Sequence, residues 1–451
     1  MRRVAATLER RAVGIGVNAI RTPLAWTLLC MTGVGCSGRP ASESPSAGAP
    51  RVAKQIPSLD DQAIEIVNPP PARDGNEDSH PAGLDAATAE IADPPASPAV
   101  SQPRAPESPP AALRERLPSP LAVDLRRAAA AGIRYVDGPH LRLFTDLPPS
   151  PAVDALPSVF AAAVPLWAEY FGIAPSQWSE WRVQGFLVDD RERFASLGLA
   201  PKDNPNFRDG YAHADEFWMV DQPSDYYRRH LMLHEGTHCF MYSFLGACGP
   251  GWYMEGNAEF LGTHDWSDGA LRLGVMPPGR KATPMWGRIK LVRDAFAERG
   301  VMPIEAVLSF DNRRALTTEQ YAWAWNLVTL LDQHPRYQAA FRQLQRQTKS
   351  PQFNELLFER LADQWSDLRV DWRAQTASLD YGYDVKRMAI EHLQVERVGP
   401  LGAEASIDAS RGWQSTGMLL EAGREYRLLA SGRYQVADDG QPWISEANGV
   451  T

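Results

Sequence analysis

Between residues 121 and 265 the apolar positions change period several times. Residues 133–147 show strand-like pieces on either side of Gly138, and residues 151–171 repeat apolar side chains at helical spacing, carrying Trp167 and Phe171. Residues 181–189 read as a strand, 190–198 as a short helix, and 210–220 (GYAHADEFWMV) as a further strand. A longer helix follows. Ser224 is placed to N-cap it; Leu231, Met232, Phe240, Tyr242 and Leu245 supply its apolar faces; Gly246 can end it. A glycine- and proline-containing turn over 246–251 leads into a second short helix at 252–262.

Beyond Gly262 the pattern predicts a hairpin at 270–276 and then mostly helices, at 288–299, 317–333, 337–348 and 351–363. From about residue 396 the character changes again, with short strands and glycine turns at 413–417 and 426–432. The predicted fold class is α+β. A small mixed sheet plus helices occupies 121–265, a mostly helical part 266–395, and a short β appendage 396–451.

Composition separates the N-terminal third from this folded region. Residues 37–120 hold 17 of the 37 prolines and no aromatic residue, so they cannot bury enough apolar surface to offset the entropy of ordering. They are predicted to be a disordered linker or tether. Residues 1–36 read as an export signal: Arg2, Arg3, Arg10, Arg11 and Arg21 precede an apolar run at 22–35, too short for a comfortable membrane span. The run ends in Gly33-Val34-Gly35-Cys36, which resembles a bacterial lipoprotein lipobox and implies lipidation of Cys36 and anchoring to a membrane. Ordinary secretory cleavage near Cys36 is the alternative. The net charge of −9 argues against nucleic acid as a partner.

The candidate chemistry lies on the two adjacent helices. His234-Glu235-Gly236-Thr237-His238 is an H-E-x-x-H motif, and on a helix its histidines sit one above the other, where a single Zn²⁺ can take both. Glu235 points about 100° away, close to the metal without binding it, as a general base for an activated water requires. Glu255, on the second helix, is the candidate third ligand. Glu259 shares its face one turn on. His213 and His230 read as surface or satisfied core residues, since three ligands are already assigned. Cys239 and Cys248 are either a disulfide closing the loop after the motif helix or two buried thiols.

HEGTH followed by WYMEGNAEF resembles the gluzincin metallopeptidases, the peptidase MA-like superfamily. The resemblance covers roughly residues 130–395 and implies a zincin-like catalytic domain with Glu255 as the glutamate ligand. The separation of His238 and Glu255 is shorter than in the aminopeptidase-N pattern. Glu259 resembles the acid that in some gluzincins orients a ligand histidine. Tyr321 lies at about the distance along the chain of a tyrosine that, in aminopeptidase-N-like enzymes, donates to the tetrahedral oxyanion. The resemblance also implies that the strand at 210–220 receives an extended peptide through its backbone. Glu216 is the only candidate for holding a free substrate N-terminus.

These observations predict an exported zinc metallopeptidase acting on a peptide or protein substrate. The second expectation is a non-catalytic cell-surface binding protein with a zinc-ordered scaffold. Its C-terminal stretch is similar to the start of β-sandwich carbohydrate-binding modules, including small galactophilic lectins, and would hold glycan or wall material. That stretch reads as part of a sandwich rather than a whole one.

Overall fold

The computed structural model describes residues 3–10, 27–29, 119–311, 316–438, 440–446 and 449–450. Cys36, the linker up to residue 118 and most of the export segment lie outside the described residues.

The fold is mixed α+β, built on a five-stranded sheet. Its order runs Arg134–Asp137, Leu141–Thr145, Val183–Val188, Glu216–Val220, Gly210–His213. The three inner strands pair in parallel and each outer strand is antiparallel to its neighbour. Side chains on a strand alternate between faces, and here both faces are covered. Leu141, Leu143, Val183, Leu187, Phe217 and Met219 join the main core, beneath the helices Leu156–Phe171 and Asp225–Leu245. Phe144, Phe186, Val188 and Trp218 face the other way, against Ala128, Ile133, Phe194 and Phe207.

The sequence pattern at 210–220 departs from the single strand it predicts. The chain turns back at Ala214-Asp215, with Ala214 at φ 55°, so the stretch is a hairpin. Asp215 holds the turn: its Oδ1 accepts from Trp181 Nε1 at 2.7 Å and also from Ser243 Oγ. The hairpin places Gly210–His213 at the sheet edge, beside the motif helix.

That helix, Asp225–Leu245, is capped as expected. Ser224 Oγ accepts from Tyr227 N, and Gly246 is left-handed at φ 73°. Gly236 lets it approach Leu156–Phe171, since a Cβ there would lie 2.7 Å from both Phe160 and Trp167. The next helix, Gly251–Gly262, packs on the motif helix and on Thr318–Gln333. Gly256 permits the second contact, because a Cβ would meet Ala324 O at 2.8 Å.

The helical part holds Arg288–Arg299, Thr318–Gln333, Gln338–Gln343 and Phe353–Arg360 near their predicted positions. Trp365–Ser378 was not predicted as a helix. It buries Trp365, Leu368 and Trp372 at helical spacing, but the buried polar residues Asp371 and Gln375 interrupt the apolar signal.

The C-terminal module is built of short strands, among them Ala403–Asp408, Ser415–Leu419, Tyr426–Ser431, Arg433–Asp438 and Pro442–Glu446. Arg3–Arg10 pairs antiparallel with the first and third of these, and Thr27–Leu29 with the second.

Candidate metal centre

One turn of helix separates His234 from His238, and both rings leave the buried face of the motif helix toward the helix that follows. Three ligand atoms converge there. His234 Nε2 and His238 Nε2 are 3.2 Å apart, and Glu255 Oε2 lies 3.1 Å from the first and 3.2 Å from the second. Around a tetrahedral cation with bonds of ~2.0–2.1 Å, neighbouring ligand atoms sit about 3.3 Å apart. The three atoms therefore already form one face of such a tetrahedron.

A second observation supports the fit. Glu255 Oε2 is buried and within reach of two ring nitrogens, yet aligned for a hydrogen bond with neither. A buried carboxylate oxygen left without a hydrogen bond beside two ring nitrogens is what a cation between them would satisfy. The group can hold a metal ion. Burial opposes ionisation of Glu255, but His238 and His234 outweigh it and hold its carboxyl down at about 2.

Glu235 extends from the same helix turn toward the sheet edge. A Cβ on Gly210 would lie 2.1 Å from Glu235 Oε1, so the carboxylate sits directly beneath the edge strand. Burial pushes the Glu235 carboxyl up to about 8; His238 opposes this and Glu255 adds to it. A bound cation would act in the opposite direction.

Glu259, one turn beyond Glu255, is buried behind the ligand group. Its Oε1 lies 3.6 Å from His234 Nδ1, a charge contact rather than a hydrogen bond. With Glu259 on the Nδ1 side, His234 is left with Nε2 facing Glu255, as a ligand histidine requires. Arg288 grips the same carboxylate, and although burial disfavours the charge, Arg288 and His230 keep Glu259 well below the usual range.

Tyr321 reaches the group from the start of Thr318–Gln333. Its ring lies 6.0 Å from that of His234, and Arg288 lies 5.8 Å from its centroid. Burial, with the charges of Glu255 and Glu235, raises the phenol's pKa, so Tyr321 stays a proton donor.

Two sequence expectations change, one open alternative is decided, and one residue joins the site. Glu216 does not face the metal group: it shares the sheet face of Trp218, and its carboxylate accepts from Leu121 N at 2.7 Å and Gln184 Nε2 at 2.9 Å. Its carboxylate is therefore committed within the fold and turned to the sheet face away from the motif helix. His230 is not an isolated core histidine, because it joins Glu259 and His234 in a second buried cluster. Cys239 and Cys248 are separate buried thiols, not a disulfide. Cys239 Sγ is directed at Glu216 O and Cys248 Sγ at His238 O. Arg288 is a further member of the site that no local sequence signal marks, since it opens an ordinary amphipathic helix. His213 behaves as expected, half-exposed and 3.2 Å from Asp203.

The chain matches no known protein-family model, and no curated protein matches it.

Proposed function

We propose that this protein is a zinc-dependent hydrolase of peptide bonds, exported from the cytoplasm and lipid-anchored through Cys36. The observation that carries the reading is the convergence of His234, His238 and Glu255 at tetrahedral spacing, with Glu235 placed between that group and the sheet edge. Two imidazoles and one carboxylate leave a fourth position open, the donor set of a catalytic rather than a structural zinc.

Zinc, when bound there, supplies a Lewis acid that polarises the scissile carbonyl and acidifies a water molecule. The chain's own residues do the rest. Glu235 accepts the proton of the attacking water on its carboxylate and delivers it to the leaving amine nitrogen. Tyr321 donates its phenolic proton in a hydrogen bond to the oxygen on which negative charge develops. The edge strand Gly210–His213 pairs with Glu216–Val220 on one side only among the described strands. Its other side offers backbone groups to an extended peptide, which would run past Glu235.

The test is metal content and peptide-library hydrolysis of the full-length protein beside Glu235→Gln and Glu255→Ala. The reading requires about one zinc per chain in the first two, loss of zinc in Glu255→Ala, and a drop in turnover of roughly 10²–10⁴-fold or more in Glu235→Gln. Full activity in Glu235→Gln would overturn it.

A further inference from the structure

His230, His234 and His238 stand at i, i+4 and i+8 on one helix, and Glu255 and Glu259 at i and i+4 on the next. The two helices run antiparallel, so the acids fall between the histidines. Glu255 meets His238 and His234; Glu259 meets His234 and His230. We infer that His230 is a positioning residue for the metal group, fixing the Glu259 carboxylate and through it the ring of His234. The inference rests on the proposed metal reading of His234, His238 and Glu255.

The contacts divide the two oxygens of Glu259 evenly. Oε1 faces Arg288 Nη2 at 2.7 Å and His234 Nδ1 at 3.6 Å. Oε2 faces Arg288 Nε at 3.0 Å and His230 Nε2 at 3.2 Å. Arg288 alone sets the carboxylate's plane. His230 closes the remaining corner and resists a slide of the carboxylate along the guanidinium, which would carry Oε1 away from His234. The approach of His230 is bent from ideal hydrogen-bond alignment, so the ring limits the carboxylate by its position rather than through a well-formed bond.

The ring sits in a built slot. It is 1% exposed, stacks 5.5 Å from Tyr227, and lies 6.3 Å from Trp286. Gly262 forms the floor: a Cβ there would lie 2.9 Å from His230 Cε1 and 3.1 Å from Nδ1. A second cation held by His230, His234 and Glu259 is the rival role for the same three residues. Arg288 opposes it, because its guanidinium already occupies both Glu259 oxygens with positive charge.

The test compares zinc affinity, by competition with a chromogenic chelator, and the visible spectrum of the cobalt-substituted full-length protein. His230→Leu removes the polar contact at similar bulk. His230→Gln keeps an amide N–H₂ where Nε2 stands. Loss of a group that orients a metal ligand costs ~10–100-fold in metal affinity, so His230→Leu should weaken zinc by at least tenfold and alter the cobalt spectrum, while His230→Gln stays within about threefold of wild type. Should His230→Leu fail to fold, His230→Asn, whose amide is too short to reach Glu259, takes its place. Wild-type affinity in His230→Leu overturns the inference. So does equal weakening in both variants, which would mean that only packing matters. Failure of the wild-type chain itself to bind zinc would instead sink the proposed function.

Discussion

Arg288 holds Glu259 through a two-pronged contact, Nη2 to Oε1 at 2.7 Å and Nε to Oε2 at 3.0 Å, with both side chains buried. Burial alone would make each charge costly; the pairing keeps the arginine charged and the acid ionised. Removing one partner strands the other. Arg288→Met should therefore destabilise the protein by about 3–5 kcal/mol, the cost of an uncompensated buried charge. Arg288→Met with Glu259→Gln should recover much of that stability, since no unpaired charge remains, but not the zinc affinity of wild type. Urea unfolding with a chelator titration checks both halves. Stability lost equally in the single and double variants would contradict the account.

Gly210 makes a separable prediction for Glu235, the proposed general base. In Gly210→Ala the new methyl group would sit 2.1 Å from Glu235 Oε1 and 2.8 Å from its Cδ. The obstacle is the end of a flexible side chain, so the carboxylate should move rather than the strand. Turnover should fall roughly 10²-fold if the proton transfer is displaced. Zinc content and melting temperature should change little. A matched loss of stability would show that the strand had moved instead.

What was legible in the sequence follows from distance along the chain. His234, Glu235, His238, Glu255 and Glu259 lie on two consecutive helices, where a helical period alone fixes which side chains share a face. Arg288 meets Glu259 only after a hairpin and a loop have intervened, so no local period could connect them. The hairpin at 214–215 was hidden because the apolar run continues through it, and Asp215 acts through tertiary contacts with Trp181 and Ser243. Glu216 looked available only while the stretch was one strand of unknown facing. Once Phe217 and Met219 face the motif helix, alternation sends Glu216 to the opposite side of the sheet. The α+β class and most helices of the second half were readable because long amphipathic periods are robust to such errors.

Tyr321 should matter to rate and not to metal binding. Tyr321→Phe keeps the ring beside His234 and beneath Arg288, and removes only the donor. One lost oxyanion donor costs ~10²–10³ in kcat. KM and zinc content should stay close to wild type. A variant that loses zinc would point to a structural role for the phenol instead.

The two thiols give a prediction about redox state. Burial raises both cysteines' pKa values, Cys239 well above the usual thiol range, which makes them poor nucleophiles. Each sulfur is directed at a different backbone carbonyl. Protein purified without reductant should therefore release both Cys239 and Cys248 to alkylation on denaturation, and reductant should not lower its melting temperature. A peptide map showing the two joined would refute this.

His264 provides a pH test outside the proposed ligand set of His234, His238 and Glu255. Burial pushes its pKa down to about 3, with Arg229 and His230 acting in the same direction and the hydrogen-bonding partner Gly262 O against it. Its ring stacks on Tyr226 at 4.5 Å and 4°. In the unfolded chain the pKa returns to about 6.5, so acid protonates the unfolded state first. The contribution of His264 to stability is thus fully present above about pH 6.5 and declines as pH falls toward 3. Between pH 6.5 and 4.5 one such group loses about 2.3 kcal/mol. His264→Phe keeps the stacking but gives up the hydrogen bond to Gly262 O and the one accepted from Arg229 Nε, so at pH 7.5 it should be less stable by ~1–2 kcal/mol. The variant cannot take up that proton, and its unfolding free energy should fall less steeply than the wild type's on acidification. Parallel curves for the two proteins between pH 7.5 and 4.5 would mean that His264 is not held neutral in the folded chain.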